Sequence, residues 1–185
     1  MEGRISVDVE RCTACKRCIL ACAVEHSSSN DLLAAIAESP APRPRVRLVD
    51  LGGAAVPIEC AHCDAAACVA ACPTGAMWKQ GTSGPVLLGA ERCVGCGCCI
   101  VACPYGVIRQ RLETAEVWKC DLCPDRLSRG RVPACVEACP TSCLGFRADA
   151  AVEGWISRLT QLRPESASAR AVASCDERGE GDRRP

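Results

Sequence analysis

The sequence is short of aromatic residues and of long apolar runs. Only five of its 185 residues are aromatic, three Trp, one Tyr and one Phe, which excludes a core built mainly on large rings. No apolar stretch approaches the roughly 18 residues that cross a bilayer, and the N-terminus carries neither an apolar signal segment nor a twin-arginine pair. We therefore expect a cytoplasmic protein with no direct membrane insertion, which partners could still hold at a membrane.

Motifs of common enzyme classes are also missing. The chain holds no Gly-rich phosphate loop, no catalytic triad and no paired carboxylate site. Basic and acidic residues are balanced at 22 each, so the formal net charge is zero. We expect neither a catalytic site of its own nor a nucleic-acid partner.

Cysteine, in contrast, is abundant. Of 19 cysteines, 16 fall into four quartets, and the first has the spacing C-x2-C-x2-C-x3-C. The quartets are Cys12, Cys15, Cys18 and Cys22; Cys60, Cys63, Cys68 and Cys72; Cys93, Cys96, Cys99 and Cys103; and Cys120, Cys123, Cys135 and Cys139. In the last three quartets proline follows the final cysteine, at Pro73, Pro104 and Pro140.

This spacing is typical of ligands to 4Fe–4S clusters. A cubane needs one thiolate at each iron, and a loop with a cysteine at every third position can supply three of them. In bacterial two-cluster ferredoxins the last cysteine of such a run, before proline, ligates the other cluster. Proline lacks an N–H and fixes φ, so it helps to end the helix that carries this cysteine. The quartets therefore predict four 4Fe–4S clusters as cofactors.

Two other uses of the cysteines stay open. Paired C-x2-C motifs also hold structural zinc, although zinc modules usually separate two ligand pairs by about a dozen residues or more. A disulfide scaffold would suit a short secreted chain, but no signal segment is visible here. Iron–sulfur ligation fits better than either. It also predicts a core formed around the clusters and a metal-free chain that is unfolded or aggregated.

Short strands and helices are expected around the motifs. Alternating apolar residues predict a strand over 5–9, and a short apolar run predicts another over 86–88. After each Cys-Pro pair, the chain should leave the short helix by a turn and enter a strand. The longer connection between the first two motifs predicts a helix from Asp31, its N-cap, to about Glu38. A strand over 45–51 follows, and we expect it to pair with residues 5–9.

The fourth quartet contains an insert, Pro124 to Ala134, between its second and third cysteines. A cubane loop normally has no room for such an insert, so we expect it to bulge outward. Arg126, Arg129 and Arg131 would then form an exposed basic flank. This flank is either a docking surface for a partner or a plain solvated loop.

The C-terminal part differs in composition from the rest. Apolar residues at helical spacing predict an amphipathic helix over 151–163. They are Val152, Trp155, Ile156, Leu159 and Leu162. Residues 164–185, rich in Ser, Ala, Arg, Glu and Gly, predict a disordered tail.

Three cysteines stand outside the quartets. Cys98 offers the third motif a second register, but Cys99 restores the C-x3-C-P ending and is preferred. Cys143 is expected to be a buried structural thiol, with a place near the ligands as the alternative. Cys175 lies in the tail and is expected to be free.

The sequence alone does not assign a role to the histidines and basic residues beside the motifs. His26 and His62 could hydrogen-bond near a cluster, but every quartet already has four cysteines, so neither is needed as a ligand. Full cysteine ligation also leaves no open iron for a substrate. Several basic residues either offset the negative charge of the clusters or are solvated surface residues. They are Arg11, Lys16, Arg17, Arg92, Lys119 and Arg126.

The four quartets, the long gap in the fourth and the missing proline after Cys22 resemble the four-cluster ferredoxin subunits of the dimethyl-sulfoxide-reductase iron–sulfur family. The resemblance covers about residues 5–147. It implies an α+β fold of two bacterial-ferredoxin-like domains, in which the first motif pairs with the fourth and the second with the third. The outer domain would be discontinuous, with residues 1–58 and 115–150, and would enclose an inner domain of residues 59–114.

The resemblance also implies which cysteines share a cluster. Three cysteines of one motif would combine with the last cysteine of the motif paired with it. The sets would be Cys12, Cys15 and Cys18 with Cys139; Cys120, Cys123 and Cys135 with Cys22; Cys60, Cys63 and Cys68 with Cys103; and Cys93, Cys96 and Cys99 with Cys72.

Within this family, the phrase around His26 and the Pro-Arg-Pro before Arg45 are similar to soluble ferredoxin subunits that accompany CO dehydrogenases. Similar subunits serve aldehyde oxidoreductases, formate dehydrogenases and hydrogenases. The resemblance implies a non-catalytic subunit that relays single electrons between such a catalytic partner and a hydrogenase, a flavoprotein or a quinone-linked module. A redox-sensing or assembly polyferredoxin and a zinc-binding interaction module remain as alternatives.

Overall fold

The computed structural model describes residues 3–50, 55–82 and 84–147. All the helices and strands in these ranges are short. The α-helices are α1 Arg17–Glu25, α2 Leu32–Ala37, α3 Ala67–Ala70, α4 Cys98–Ala102, α5 Pro124–Leu127 and α6 Ala134–Glu137. The strands are β1 Arg4–Val7, β2 Arg47–Asp50, β3 Ala55–Ile58, β4 Met77–Lys79, β5 Val86–Leu88, β6 Arg109–Gln110, β7 Val117–Trp118 and β8 Leu144–Arg147. Two 3-10 turns, Val9–Arg11 and Ala90–Arg92, precede the first and the third motif. None of the helices in the described ranges is long and apolar enough to cross a membrane. The predicted helix over 151–163, the tail and Cys175 lie outside the described residues.

The strands form four separate antiparallel pairs. They are β1 with β8, β2 with β3, β4 with β5 and β6 with β7. The expected pairing of the strand over 45–51 with residues 5–9 is therefore wrong. The strand β2 pairs with β3, the next strand in the chain, from Arg47 opposite Ile58 to Asp50 opposite Ala55. Alternation identifies a strand but not its partner, and a nearby partner costs less loop-closure entropy.

The strands that follow the C-P turns lie where the sequence predicts them. They are β4, β6 and β8, each a few residues beyond its proline. The pairing of β1 with β8, from Arg4 opposite Arg147 to Val7 opposite Leu144, joins the two ends of the described chain. It therefore brings the first cysteine motif next to the fourth.

The cysteine-bearing helices pack in the same two combinations. Helix α1 of the first motif packs on α6 of the fourth, and α3 of the second packs on α4 of the third. Helices α1 and α4 both start after a residue with positive φ, Lys16 at 60° and Gly97 at 75°. The same turn thus leads from a cysteine loop into a helix in both motifs.

Cysteine forms a large part of the buried core, with 7 of the 19 buried apolar residues in the described ranges. One group of buried residues joins Cys18, Cys22 and Cys135 to Val46 and Leu144. A second joins Cys99 to apolar residues in or next to the strands, namely Met77, Val86, Ile108 and Val117. Because the sequence has few aromatic side chains, thiols occupy space that large rings would otherwise fill.

Helix α2 begins as the sequence predicts. The Asp31 side chain caps it, because its Oδ1 accepts hydrogen bonds from the backbone N–H groups of Leu33 at 3.0 Å and Ala34 at 2.9 Å. Such a cap satisfies N–H groups that have no partner within the first turn. The predicted helix is confirmed, with its end at Ala37.

The insert in the fourth motif packs more closely than expected. Its helix α5 buries Leu127, which is 2% exposed. The Arg126 side chain is only 11% exposed and forms ion pairs with Glu25 and Glu137. The expectation that Arg126 belongs to an exposed basic flank is therefore wrong, because two carboxylates hold it against the body of the protein. Arg129 is exposed, as expected.

Candidate iron–sulfur centres

Each of the four cysteine loops turns at the residue just before its second cysteine. These residues have positive φ: Ala14 at 55°, His62 at 47°, Gly95 at 66° and Leu122 at 67°. The left-handed region disfavours residues other than glycine, so three of the four turns carry a conformational cost. Turns of this kind direct successive N–H groups into one concavity, which binds anions such as iron–sulfur clusters. A cubane with four thiolates is anionic, so the loops fit it.

The last cysteine of the fourth motif lies among the thiols of the first loop. Burial raises the pKa of the Cys18 thiol, and the nearby Cys15 and Cys139 raise it further. A small cavity is lined by Cys12, Cys15, Cys18 and Cys139, together with Cys143. The first four of these thiols are the set that the family resemblance implies for one cluster.

The first and fourth motifs each place their last cysteine in the other's thiol group, because Cys22 of the first motif lies among the thiols of the fourth. Burial raises the pKa of Cys123 to about 12, and the charges of Asp121 and Cys22 add to this effect. The pKa of Cys135 is raised even more, by burial first and then by the charges of Cys22 and Cys123. Burial also raises the pKa of Cys120 well above its ordinary value. These three thiols are neutral in the metal-free chain. A bound metal must therefore displace their protons.

The second loop receives a cysteine from the third motif. Burial raises the pKa of Cys68, and the charges of Cys60 and Cys103 raise it further. Cys63 lies in the same loop, where its carbonyl oxygen accepts a hydrogen bond from Lys79 Nζ at 2.9 Å. The loop is thus held by a lysine, and Cys103 reaches its thiols.

The third loop receives a cysteine from the second motif. Burial raises the pKa of Cys99, and the charges of Cys93, Cys72 and Cys96 raise it further. These are the four cysteines that the resemblance assigns to one cluster. All four thiol groups thus combine cysteines of one motif with the last cysteine of another; in the second loop the observed neighbours are Cys60, Cys68 and Cys103. Ligation by these residues stays a prediction.

Two of the last cysteines receive a hydrogen bond from the same relative position. The backbone N–H of Met77 donates to Cys72 Sγ at 3.3 Å, and this bond is the largest cause that lowers the pKa of Cys72. Burial raises the pKa of Cys139, but bonds from the Leu144 N–H and from Thr141 outweigh it and lower the pKa overall. In both motifs the backbone donor follows the C-P turn. Both bonds favour the thiolate, which is the form that binds iron.

Cys22 has no proline after it and receives its hydrogen bond from a distant segment. The backbone N–H of Arg45 donates to Cys22 Sγ at 3.2 Å. The Arg45 guanidinium forms an ion pair with Asp121, next to Cys120. The proline-rich segment before Arg45 therefore takes the place of the missing C-P turn.

His26 joins the same network. Its Nδ1 lies 2.7 Å from the carbonyl oxygen of Cys22 and 3.7 Å from Cys22 Sγ, and its Nε2 lies 3.2 Å from Asp121 Oδ1. Burial lowers the pKa of His26, but the hydrogen bonds to Asp121 and Cys22 outweigh it and raise the pKa to about 9. His26, Asp121 and Cys123 could together offer ligand atoms to a metal. Because Cys123 belongs to a thiol set, we interpret this group as the surroundings of that set.

His62 and Lys119 occupy the interior between the motifs. His62 is 2% exposed, and its Nδ1 accepts the backbone N–H of Val86 at 3.0 Å. Burial, and after it the charge of Lys119, lowers the pKa of His62 well below its ordinary value, so the ring is neutral. The Lys119 ammonium donates to the carbonyl oxygens of Val86 and Cys120. Neither histidine is needed to complete a thiol set.

The cysteines outside the quartets differ in exposure. Cys98 is exposed whereas Cys99 is buried, which favours the register with Cys99 as the inward thiol. Cys143 is buried as predicted, and burial followed by the nearby Cys12 raises its pKa to about 12. Among the 18 cysteines of the described ranges, no two are joined by a disulfide.

Comparison with known families also indicates 4Fe–4S binding. Two family models match, both described as a 4Fe-4S dicluster domain, one over residues 53–149 and the other over residues 11–77. The chain belongs to the 4Fe-4S dicluster domain family. It has two ferredoxin-like 4Fe–4S domains of mixed α and β structure, and the ferredoxin-like assignment predicted from the quartets is confirmed.

Individual relatives of this dicluster protein include proteins named as iron–sulfur or electron transfer subunits. The iron-sulfur protein of Rhodospirillum rubrum is 40% identical over 152 residues, which are 76% of this chain and 79% of the relative. The thiosulfate reductase electron transfer subunit PhsB of Salmonella typhi is 34% identical over 169 residues, 90% of this chain and 87% of the relative. The iron-sulfur subunit of the nitrate-inducible formate dehydrogenase of Escherichia coli K12 is 44% identical over 87 residues, 47% of this chain and 30% of the relative.

Proposed function

We propose that this chain is the electron-transfer subunit of an oxidoreductase complex and relays single electrons through four 4Fe–4S clusters. The observation that carries this proposal is the arrangement of thiols in four mixed groups. Relatives named as an electron transfer subunit and as an iron-sulfur subunit support it. When bound, each cluster supplies a one-electron redox centre.

The sixteen quartet cysteines are the proposed ligands, in the four sets that the thiol groups form. The same grouping supports a division into an outer domain, residues 1–58 with 115–150, and an inner domain, residues 59–114. The strand β7 is an exception to these bounds, because it pairs with β6 and Val117 packs in the core of the inner domain. The pairing of β1 with β8 and the packing of α1 on α6 support the outer domain. The packing of α3 on α4 supports the inner one.

The chain's own residues hold the thiolates and set their surroundings. The N–H groups of Met77 and Arg45 donate to ligand sulfurs, and such bonds raise a cluster's reduction potential. Each set offers four thiolates, which leaves no coordination position for a substrate. The catalytic step therefore belongs to a partner subunit, and an acceptor module takes the electrons from this chain or supplies them. A cytoplasmic location remains our prediction.

Turnover of the native complex tests the relay. The complex is purified anaerobically with wild-type chain, with Cys72→Ala or with the control Cys98→Ala. Cys72→Ala should lose one cluster and reduce electron throughput to the acceptor at least about tenfold, whereas Cys98→Ala should match wild type. Unchanged throughput in Cys72→Ala, together with lost iron, would support a sensing or assembly role instead. Zinc in place of iron would indicate an interaction module.

A further inference from the structure

An arginine-rich cavity lies next to the segment that contacts Cys22. Arg43, Arg45, Arg47 and Arg109 line this cavity together with Trp118, and no described carboxylate is among its lining residues. Its volume is about 200 Å³, whereas small-molecule sites usually measure roughly 300 to 1,000 Å³. The cavity therefore suits an ion or a single side chain better than a cofactor. We refer to it as the arginine pocket.

Most of the positive charge in the arginine pocket is uncompensated. Arg45 is paired with Asp121, but no carboxylate in the described part of the chain forms an ion pair with Arg43, Arg47 or Arg109. Arg43 instead lies over the ring of Trp118, 5.7 Å from its centroid. Guanidinium groups keep their charge at any ordinary pH. Arg43 and Arg109 are exposed, so solvent and salt screen part of the repulsion between the arginines. An anion between them would relieve this repulsion.

Two buried donors on side chains of the pocket have no acceptor among the residues that the structure describes. They are Arg47 Nε and Trp118 Nε1. An indole N–H and a guanidinium can only donate, and a buried donor without an acceptor is costly. The side chains that carry these donors line the pocket, so a negatively charged acceptor is the occupant that their chemistry favours. An oxyanion is such an acceptor.

The remaining walls of the pocket are apolar. Ile19, Ile58 and Val107 line it beside the arginines. A free inorganic anion would leave these side chains without a partner, whereas a carboxylate on an alkyl stem would contact them. The planar guanidinium also matches a carboxylate in bidentate geometry.

We propose that the arginine pocket binds a carboxylate on an apolar stem, presented by a glutamate side chain of the catalytic partner subunit. The existence of that partner rests on the proposed function. Arg45 lines the pocket, and its backbone N–H also donates to Cys22 Sγ at 3.2 Å. A partner docked here would therefore lie beside the thiol set of Cys22, where an electron can enter or leave.

Binding to the isolated holoprotein is the first test, with butyrate as the probe. Saturation-transfer difference NMR at constant ionic strength should give a Kd on the order of 1 mM. Arg47→Gln and Arg109→Gln should each weaken binding about tenfold, because each removes a charge-assisted hydrogen bond. Trp118→Phe should also weaken it, since it keeps a ring but loses the N–H. The control Arg129→Gln removes an exposed charge and should bind as wild type.

Several outcomes of this first test would overturn the proposal. They are a signal that does not saturate, an equal loss in Arg129→Gln, and tighter binding of inorganic phosphate than of butyrate. Iron content is measured for each variant, so that a folding defect is not mistaken for a lost site.

Affinity for the catalytic partner is the second test. With Arg47→Gln and Arg109→Gln combined, the Kd of the complex should rise at least about tenfold. Arg147→Gln removes an exposed charge outside both the pocket and the insert of the fourth motif, and it should leave the Kd unchanged. Butyrate binding without any change in partner affinity would overturn the docking role. The butyrate test needs no partner, so its result is independent of whether the relay function holds.

Discussion

Removal of the Lys119 charge should lower the reduction potentials of two clusters. The side chain is 3% exposed, and its ammonium donates to Cys120 O at 2.8 Å and also to Val86 O. Burial raises the pKa of Cys68, and the charge of Lys119 opposes that rise. Lys119 therefore acts on the thiol sets of both Cys68 and Cys120. A buried positive charge favours the reduced state, which carries one more negative charge.

The size of this effect follows from Coulomb's law. Two unit charges about 10 Å apart, at an effective dielectric constant of about 20, interact by about 1.7 kcal/mol. For a one-electron couple this corresponds to about 70 mV. Lys119→Met keeps the length of the side chain without its charge. It should lower two of the four potentials by tens of millivolts and up to about 70 mV, and change the other two much less.

The assay is a potentiometric titration followed by EPR, on samples with wild-type iron content. Arg129→Gln is the control, because it removes a positive charge that is exposed and therefore screened by solvent and salt. If Lys119→Met shifted no potential more than Arg129→Gln does, or raised the potentials, the reasoning would be refuted.

Three further predictions concern stability and ligation. Because the pKa of His26 is raised to about 9, the stabilising effect of its charge is complete below about pH 6.5 and is lost as the pH rises through about 9. His26→Gln should therefore cost up to about 3 kcal/mol more at pH 6 than at pH 10, which melting curves of the holoprotein check. If Cys72 and Cys99 share a cluster, iron analysis should find that the double variant Cys72→Ala with Cys99→Ala loses about four iron atoms. The double variant Cys72→Ala with Cys68→Ala should lose about eight, because its two cysteines belong to different sets. Equal losses in the two double variants would contradict the pairing. Complete removal of iron should unfold the chain, since buried thiols form a large part of its core. A cooperative thermal transition of the iron-free protein in circular dichroism would contradict this.

The local part of the site could be predicted from the sequence. Cysteine spacing is a local property, so it indicated the loops, their short helices and the strands after the C-P turns. Asp31 likewise capped its own helix, as its position predicts. The mixed thiol groups came from a family resemblance, because spacing alone does not say which motifs pair.

Contacts between distant segments could not be predicted in this way. Asp121 meets His26 across 95 positions of sequence, and Arg45 reaches the Cys22 sulfur across 23. The proline-rich segment before Arg45 was a weak signal, since it offers a rigid stretch but no partner. The same limit explains the wrong partner expected for β2 and the unexpected burial of Arg126, whose carboxylate partners lie outside the insert.

Iron and sulfide analysis of anaerobically purified protein tests the central claim most directly. Four cubanes predict about 16 iron atoms and about 16 sulfides per chain, with Mössbauer spectra of 4Fe–4S clusters only. About eight of each would mean two clusters, and half of the quartets would then have another role. Stoichiometric zinc without sulfide would contradict the account altogether.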